Sequence, residues 1–404
     1  MRLLNVIRSI DPALGGTVEG LRQQVMATAV LGHRPEVVTL DGDADACVAT
    51  FPAPTHALGP VASHYGYSRR LAPWLRENAG DYDAVIVHGL WQYPSFAAWR
   101  ALHGATVPYF VYPHGMLDPW FRRRYPLKHV KKNLYWPWAE YRVLRDAAAV
   151  LFTAEEEARL AAQSFRPYRV KPAVVGFGID LDYDALGAAA EPFLARWPEL
   201  REKRLVLFLG RLHEKKGGDL LIEAFAQVSR DAPALQLVMA GPDGGVGERA
   251  QLEALATRLG IATRITWTGM LEGALKWSAL RAAEVFVLPS HQENFGIAVV
   301  EALALGVPVI VSDKVNIWRE IVESGAGFAG DDSAAATIVN LRRWLALDEA
   351  GRRSMRAAAT ACYARTFTMQ AAAKRLLSTI AAHIAASDRA RQSPPIHGRA
   401  TKAP

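Results

Sequence analysis

Short apolar runs alternate with longer stretches of helical periodicity along the first half of the chain. The first helical stretch spans residues 18–31 and follows a Gly-rich turn. Because helical stretches separate most of the apolar runs, we expect parallel strands joined by helices. The predicted strands are LLNVI (3–7), VVTL (37–40), AVIVH (84–88), PYFVY (108–112) and AVLFT (149–153).

The second half of the chain repeats this alternation more regularly. Helical patterns such as KGGDLLIEAFAQVSR and ERAQLEALATRLG lie between its apolar runs. Two such halves predict an α/β fold of two doubly wound, Rossmann-like domains that face each other across a cleft. The predicted strands are LVLFLG (205–210), LQLVMAG (235–241), RITWTG (264–269), EVFVLP (284–289) and PVIVS (308–312).

The periodicity breaks over residues 176–203, which indicates a domain join. We therefore assign residues 1–183 to a first domain and 184–367 to a second. The last long helix, near 368–386, is expected to pack back on the first domain. The polar, Pro-containing and basic segment 387–404 is predicted to be disordered.

Composition narrows the class of protein. Half of the 404 residues are hydrophobic and 22% are charged, as in folded soluble domains. We find no uncharged apolar run near 18 residues and no signal peptide, and the two cysteines fit a reducing compartment, so we expect a cytoplasmic protein. The net charge of +7 favours an anionic partner, such as a phosphorylated metabolite, nucleic acid or an anionic membrane.

The stretch LPSHQENFGIAVVEALALG (288–306) carries the first candidate chemistry. Its polar loop lies at the carboxyl end of a strand, where ligands bind in open α/β sheets. The helix that starts near Gly296 offers free backbone N–H groups to a phosphate. Glu293 lies just outside that phosphate site, and Glu301 lies about 7.5 Å along the helix. Carboxylates bind sugar diols well, so one glutamate could hold a ribose and the other the transferred sugar.

Two further features suit phosphate. In LFLGRLHEKKGG (207–218), Arg211, Lys215 and Lys216 follow a strand and precede a helix, where they would neutralise a diphosphate leaving group. The Gly15-Gly16 turn follows the first strand and faces the interdomain cleft.

Glu-x7-Glu with Phe-Gly inside it, together with Gly-Arg-x4-Lys-Gly, resembles the retaining GT-B glycosyltransferases of family 4 (glycosyl transferases group 1). The VYPHGMLDPW segment and the AEEEARL helix also have counterparts in that family. One departure is the segment GFGID (176–180), where many members have Pro-Asn-Gly-Val-Asp, so no role is assigned to an asparagine there.

The resemblance implies roles for individual residues. Glu293 and His114 would be catalytic at the donor sugar, and Glu301 would bind the ribose. Lys216 is preferred to Lys215, because the family lysine directly precedes the glycine. The implied donor-binding residues are Gly16, Arg211, Lys216, Asn294, Phe295, Gly296, Ile297 and Glu301.

The resemblance implies transfer of a hexosyl-type sugar from a nucleoside-diphosphate sugar to a glycan or lipid-linked acceptor, with retention of anomeric configuration. Bacterial polysaccharide or glycolipid assembly is the expected context. The Asp-x-Asp pairs lack calcium-loop spacing, and we expect no required metal or other cofactor. Two alternatives stay open: a sugar-nucleotide epimerase or hydrolase of the same fold, and a non-catalytic nucleotide-sugar-binding subunit. No nucleic-acid recognition motif is present, so nucleic acid is not an expected partner.

Residues 120–145 (WFRRRYPLKHVKKNLYWPWAEYRVLR) combine eight Lys or Arg residues with seven aromatic residues and one glutamate. One interpretation is that the aromatic residues pack inward while the basic ones are solvated. The other is a surface for anionic lipid headgroups or for the phosphate of a lipid-linked acceptor. On the second interpretation, we expect a peripheral protein at the inner face of the cell membrane.

Overall fold

The computed structural model of the protein describes residues 1–181, 187, 189–245 and 247–392. The first sheet of these residues comprises β1 (Arg2–Val6), β2 (Arg34–Thr39), β3 (Thr55–Ala57), β4 (Ala84–His88), β5 (Tyr109–Tyr112), β6 (Ala149–Phe152) and β7 (Pro172–Val174). The second sheet comprises β8 (Arg204–Leu209), β9 (Leu235–Ala240), β10 (Ile265–Gly269), β11 (Val285–Leu288), β12 (Val309–Ser312) and β13 (Gly327–Gly330).

Helices connect the strands of each sheet. Those of the first half are α1 (Gly16–Val30), α2 (Ala46–Ala49), α3 (Leu71–Asn78), α4 (Tyr93–Leu102), α5 (Trp120–Arg124), α6 (Pro126–Tyr135), α7 (Glu140–Asp146) and α8 (Glu155–Ala161). Those of the second half are α9 (Glu191–Arg196), α10 (Gly218–Val228), α11 (Glu248–Arg258), α12 (Gly273–Ala282), α13 (Ile297–Ala304), α14 (Trp318–Glu323), α15 (Ala334–Leu345), α16 (Glu349–Cys362) and α17 (Met369–Gln392).

Both sheets are parallel and doubly wound. Their strand orders are β3-β2-β1-β4-β5-β6-β7 and β10-β9-β8-β11-β12-β13. In each sheet the order reverses at one point, between β1 and β4 in the first and between β8 and β11 in the second. Ligands of such folds bind at these switch points, outside the carboxyl ends of the strands. The predicted fold class is confirmed.

The sequence pattern missed three strands, and all three lie at sheet edges. They are β3, β7 and β13, which are three or four residues long. β7 begins with Pro172, and β13 both begins and ends with glycine. Edge strands tolerate proline and need little apolar surface, so hydrophobic periodicity does not mark them.

The last helix returns to the first domain. Leu376, Leu377 and Ile380 of α17 pack against residues of the first sheet such as Leu3 and Phe110. This helix runs to Gln392, so the prediction that disorder begins at residue 387 is wrong for 387–392, whereas 393–404 lie outside the described residues. The predicted domain boundary between 183 and 184 also lies outside them.

No helix in the described part of the chain combines the length and apolar character needed to cross a membrane.

Candidate functional site

Glu293 lies in the loop between β11 and α13, and neighbouring backbone fixes its position. Its N–H donates to the Lys314 carbonyl at 2.9 Å, and its carbonyl accepts from the Asn316 N–H at 3.0 Å. Its carboxylate forms an ion pair with the Lys216 ammonium. Burial alone would raise the pKa of Glu293, but the charges of Lys216 and Lys215 hold it below its ordinary value, so the carboxylate is ionised.

Lys215 and Lys216 belong to a single 3₁₀ turn after β8. The Lys215 carbonyl accepts from the His291 N–H at 2.8 Å, which joins this turn to the loop that carries Glu293. Gly217 has a φ of 67°, and a Cβ there would lie 2.2 Å from the Pro289 carbonyl oxygen. Only glycine allows this approach, which brings both lysines to Glu293.

The three predicted cations are placed differently. Lys215 lines the cavity beside Glu293, and burial lowers its pKa. Lys216 is held by Glu293. Arg211 is exposed and does not line this cavity, although its charge contributes to the lowered pKa of Lys215. The preference for Lys216 over Lys215 therefore describes only part of the arrangement, since both lie beside Glu293.

Two helix N-termini converge on the same space. Gly296 has a φ of 77° and precedes α13 at Ile297. Across the domain interface, α1 begins at Gly16, and a Cβ at Gly16 would lie 3.1 Å from Cδ1 of Ile297. Helix N-termini carry a partial positive charge and free N–H groups, so the two together favour an anion between the domains.

A cavity of about 250 Å³, called the reaction cavity below, opens between these helix N-termini. A larger cavity of about 880 Å³ adjoins it, and Ile297 lines both. The first is lined by site residues that include Gly16, His114, Lys215, Glu293, Asn294, Phe295 and Ile297. The second contains Glu301, Lys276 and Trp277. The structure thus brings most of the predicted site residues to one cavity and places Glu301 in the next, whereas Arg211, Lys216 and Gly296 line neither.

Glu301 is paired as Glu293 is. The Lys276 ammonium lies 2.8 Å from its carboxylate and 3.8 Å from the centre of the Trp277 ring. Burial raises the pKa of Glu301, and the positive charge of Lys276 limits the rise. Lys276 was not predicted, because it lies on α12 and meets Glu301 only through the packing of two separate βα units.

His114 is held by a chain of buried polar side chains. His114 Nε2 lies 3.1 Å from His88 Nδ1, and His88 Nε2 lies 3.0 Å from Asn5 Oδ1. The Asn5 amide nitrogen donates to the Glu36 carbonyl, so the Asn5 oxygen accepts from His88. His88 must then accept at Nδ1 from the Nε2–H of His114, which leaves the lone pair of His114 on Nδ1.

Burial lowers the pKa of His114 to about 4 and holds the pKa of His88 well below its ordinary value. Both rings are neutral at neutral pH. His114 has a left-handed backbone with a φ of 50°, and its ring stacks on Tyr112 with centres 5.2 Å apart. The neighbours of His114 therefore hold it in a strained backbone conformation. Strained residues of this kind are frequent at functional sites.

Asn294 and Phe295 contact the first domain. The Asn294 amide donates to Thr153 Oγ1 at 3.2 Å, and a Cβ at Gly115 would lie 2.8 Å from the Asn294 side chain. The Phe295 ring packs edge-on against Phe177 at 4.9 Å. Both residues line the reaction cavity and also hold the two domains together around it.

Acidic side chains of the second domain form one cluster outside this cavity. The carboxylates of Asp313, Asp331 and Asp332 lie close together. The Lys314 ammonium lies among them, at 2.6, 3.2 and 3.5 Å. The positive charge of Lys314 offsets the negative charges of these carboxylates, so the cluster is an ion-pair network.

Two family models match the chain on either side of the domain join. One, described as a glycosyl transferase 4-like domain, matches residues 15–178, and the other, described as glycosyl transferases group 1, matches residues 192–361. The chain belongs to the group 1 glycosyl transferases. The resemblance found in its motifs is thus confirmed.

Curated relatives of this chain include enzymes with different acceptors in their names. It is 34% identical to a D-inositol 3-phosphate glycosyltransferase of Thermomonospora curvata over 59% of this chain and 58% of that protein. It is 28% identical to a GDP-mannose:cellobiosyl-diphosphopolyprenol alpha-mannosyltransferase of Xanthomonas oryzae pv. oryzae over 81% of this chain and 82% of that one. The chain spans about half the length of the inositol phosphate relatives, at 58% and 42%.

Among solved structures, the sucrose-phosphate synthase of Thermosynechococcus elongatus superposes with a TM-score of 0.73. It shares 21% sequence identity, and the match covers 95% of this chain and 99% of that one. This likeness shows the common two-domain fold.

Segment 120–145 contains both inward-facing and outward-facing residues. Trp136 is fully buried, and the Arg124 guanidinium bridges to Glu214 of the second domain at 2.8 Å. Leu127, Val130 and Leu134 on α6, with Trp138 beyond it, are 81%, 56%, 72% and 50% exposed. The burial of Trp136 agrees with the first interpretation, and contact of the exposed residues with a membrane stays a prediction.

Proposed function

We propose that this chain transfers a hexosyl-type sugar from a nucleoside-diphosphate sugar to an acceptor, with retention of anomeric configuration. One observation carries the proposal. The ionised Glu293 and the cations beside it lie at the switch point of the second sheet, facing His114 and the N-terminus of α1 across the cleft. Polar groups from both domains thus meet where a donor and an acceptor would react.

Departure of the nucleoside diphosphate develops negative charge. Lys215, Lys216 and the two helix N-termini would stabilise that charge, and the exposed Arg211, whose charge acts on Lys215, would add to it. The bond from the anomeric carbon to the phosphate oxygen breaks, and the acceptor oxygen bonds to the same carbon on the same face. The acceptor proton passes to the departing phosphate.

The carboxylates bind the neutral parts of the donor. Glu293 would accept hydrogen bonds from hydroxyls of the transferred sugar, and Glu301, in the larger cavity, from the ribose. His114, neutral and held from behind by His88, presents a fixed polar edge to the sugar. The contacts of Asn294 and Phe295 with the first domain close the cleft, which limits attack by water.

A panel of nucleoside-diphosphate sugars tests the donor assignment. At 100 times its Kd, a true donor should raise the free energy of unfolding by about 2.7 kcal/mol. Glu293→Gln keeps the size of the side chain but removes its charge, and should abolish transfer while leaving the protein folded. Stabilisation by no member of the panel, or wild-type turnover by Glu293→Gln, would contradict the proposal.

The reaction is proposed to need no divalent metal, since Lys215, Lys216 and the helix N-termini supply positive charge at the diphosphate. Transfer should persist after treatment with EDTA. Activity that is lost in EDTA and restored by Mg²⁺ or Mn²⁺ would overturn this part of the proposal.

We further propose that the outer face of α6 rests on an anionic membrane and gives access to a lipid-linked acceptor. Its support is the exposed apolar stripe of Leu127, Val130 and Leu134, which recurs at helical spacing. Arg122 and Arg123 on the preceding α5 and Lys131 on α6 are exposed, and each would contribute about 1 kcal/mol near an anionic surface. This arrangement is typical of interfacial helices.

Two valines of equal exposure make a matched test of the membrane surface. Val130 on α6 and Val339 on α15 are each 56% exposed. Val130→Asp should reduce sedimentation with anionic vesicles, while Val339→Asp should behave as wild type. Equal sedimentation of the two variants, or no binding by wild type at low salt, would show that α6 does not meet membrane.

A further inference from the structure

A small cavity adjoins the reaction cavity on the first-domain side. It has a volume of about 50 Å³, room for several water molecules, and Met116 and Phe121 line both cavities. Its basic residues are Lys128, His129 and Lys132, which come from one face of α6. At 100° per residue this face lies opposite the exposed apolar stripe of the same helix.

Lys132 is the least solvated of these bases. Its ammonium lies 4.4 Å from the centre of the Trp91 ring and 5.8 Å from that of Phe121. No carboxylate of the described residues lies within 4 Å of it. Burial lowers the pKa of Lys132 to about 8, so the group is mostly charged at neutral pH yet has lost part of its water.

Two carboxylates near the cavity accept hydrogen bonds from backbone N–H groups instead of pairing with Lys132. Asp118 lines it, but one oxygen accepts from the Trp120 N–H at 2.8 Å, and burial raises its pKa. Glu140 is fully buried and accepts from the Trp91 N–H at 2.6 Å, which holds Trp91 in a left-handed backbone with a φ of 67°. Glu140 therefore fixes the aromatic surface beneath Lys132, and burial raises its pKa to about 7.

We propose that Lys128, His129 and Lys132 form an anion subsite that binds a phosphate group of the acceptor. The inference rests on the proposed function and extends it to the acceptor's chemical class. A phosphate oxygen would accept hydrogen bonds from both ammonium groups and from the imidazole, and would replace the water that Lys132 has lost. Tyr125, whose ring lies 4.9 Å from the Lys128 ammonium, orients the second lysine.

The position of the subsite limits the acceptor. The ammonium groups of Lys132 and Lys215 each lie 5.8 Å from the centre of the Phe121 ring. One aromatic side chain thus separates the acceptor phosphate from the donor diphosphate. The hydroxyl that attacks must therefore lie on the sugar or polyol unit that carries the phosphate, or on the next unit.

Calorimetric titration of the full-length chain with inorganic phosphate tests the subsite. The donor cavity is first saturated with the nucleoside diphosphate that stabilises the protein most. Lys132→Met should weaken phosphate binding by about tenfold or more. Lys131→Met, the same change at an exposed neighbour on α6, should alter it less than about twofold. Lys132→Arg should restore most of the affinity. If Lys132→Met fails to fold, Lys128→Met is tested instead and should show a smaller loss of phosphate affinity.

Vesicles distinguish a lipid-borne phosphate from a soluble one. If the acceptor phosphate belongs to a lipid, binding to vesicles containing phosphatidic acid should depend more on Lys132 than on Lys131. Dependence on Lys132 in the phosphate titration alone points to a soluble phosphorylated acceptor. Equal phosphate affinity in wild type, Lys132→Met and Lys128→Met would overturn the subsite.

Failure of the proposed function and failure of the subsite give different results. If no nucleoside diphosphate binds, the proposed function fails, and the titration is then performed on Lys215→Met, in which the donor cavity lacks its lining cation. Loss of phosphate binding with intact donor binding would instead identify the subsite as the failing part.

Discussion

The two sides of the cleft hold their charged groups in opposite ways. On the second-domain side, Glu293 and Glu301 are each paired with a lysine. On the first-domain side, Lys132 lies against aromatic rings with no carboxylate of the described chain within 4 Å. The donor side has its ion pairs in place before any ligand binds, whereas the acceptor side has a half-buried positive charge on Lys132 that a ligand would neutralise.

This difference separates two uses of a lysine. Beside Glu293 and Glu301, a lysine lowers the pKa of a buried carboxylate and so favours the ionised form, which binds sugar hydroxyls. On α6, a lysine is kept partly desolvated, so that its interaction with an anion is stronger than in water. Removing lysines from the two sides should therefore have different consequences.

The largest effect is expected from Lys216→Met. This change removes a cation beside the leaving group and the partner of Glu293, and should lower the transfer rate on the order of 10²–10³-fold. Lys203→Met, at an exposed site before β8, serves as the control. Rates that fall equally in the two variants would mean that the pair has no catalytic importance.

The same variant should change the pH profile. In the wild type, Lys216 and Lys215 hold the pKa of Glu293 below its ordinary value. Without Lys216, burial dominates and the pKa rises, so a larger fraction of Glu293 is protonated at mildly acidic pH. The acidic limb of kcat/KM should therefore move to higher pH, and an unmoved limb would show that it reports another group.

Lys276→Met tests the second pair through stability. The change leaves Glu301 buried without its cation, which should lower the free energy of unfolding by about 3 kcal/mol in urea titrations at neutral pH. Because burial already raises the pKa of Glu301, the loss should shrink as the pH falls and the carboxyl becomes neutral. A loss that is independent of pH would point to packing of the lysine stem on Trp277.

Asn5→Leu tests the support behind His114. It leaves the His88 Nε2–H without its acceptor in a buried site and should lower the free energy of unfolding by about 1–3 kcal/mol. Asn340→Leu, also at a buried asparagine, is the stability control. Only Asn5→Leu should change the ¹⁵N shifts of His114 that report its tautomer, and identical spectra would remove His88 and Asn5 from the mechanism.

The smallest effect is expected from Lys132→Met on the acceptor side. Since the Lys132 ammonium is desolvated without an ion-pair partner, its replacement should leave the stability equal to that of wild type or raise it slightly. Because folding lowers the pKa of Lys132 to about 8, the wild type should gain stability relative to the variant as the pH rises above 8. A marked loss of stability in Lys132→Met would contradict the unpaired arrangement.

Much of the donor site could be predicted from the sequence because its residues follow adjacent strands. Lys216 comes after β8 and Glu293 after β11, and these strands are neighbours in the sheet. A Gly-rich turn after β8 and a glycine before α13 mark the close backbone approaches. Local chemistry and parallel topology together suffice to bring these residues to one place.

Other residues depend on packing that local patterns do not encode. Lys276 reaches Glu301 from a different βα unit. Asn5 lies inside β1, where the sequence shows only a polar residue within an apolar run. His88 did have a signal, since it ends β4 beside the strand that leads to His114. On α6 the usual pattern would turn the apolar residues inward and the basic ones outward, so only the structure shows that Lys132 faces inward and Leu134 outward.

The return of α17 to the first sheet has a consequence for biosynthesis. Leu376, Leu377 and Ile380 cover apolar residues that include Leu3, Ile86 and Phe110. These surfaces are translated before the second domain, but the helix that covers them is translated after it. The first domain therefore cannot complete its core until the second domain has been made, and until then the nascent chain exposes an apolar sheet face.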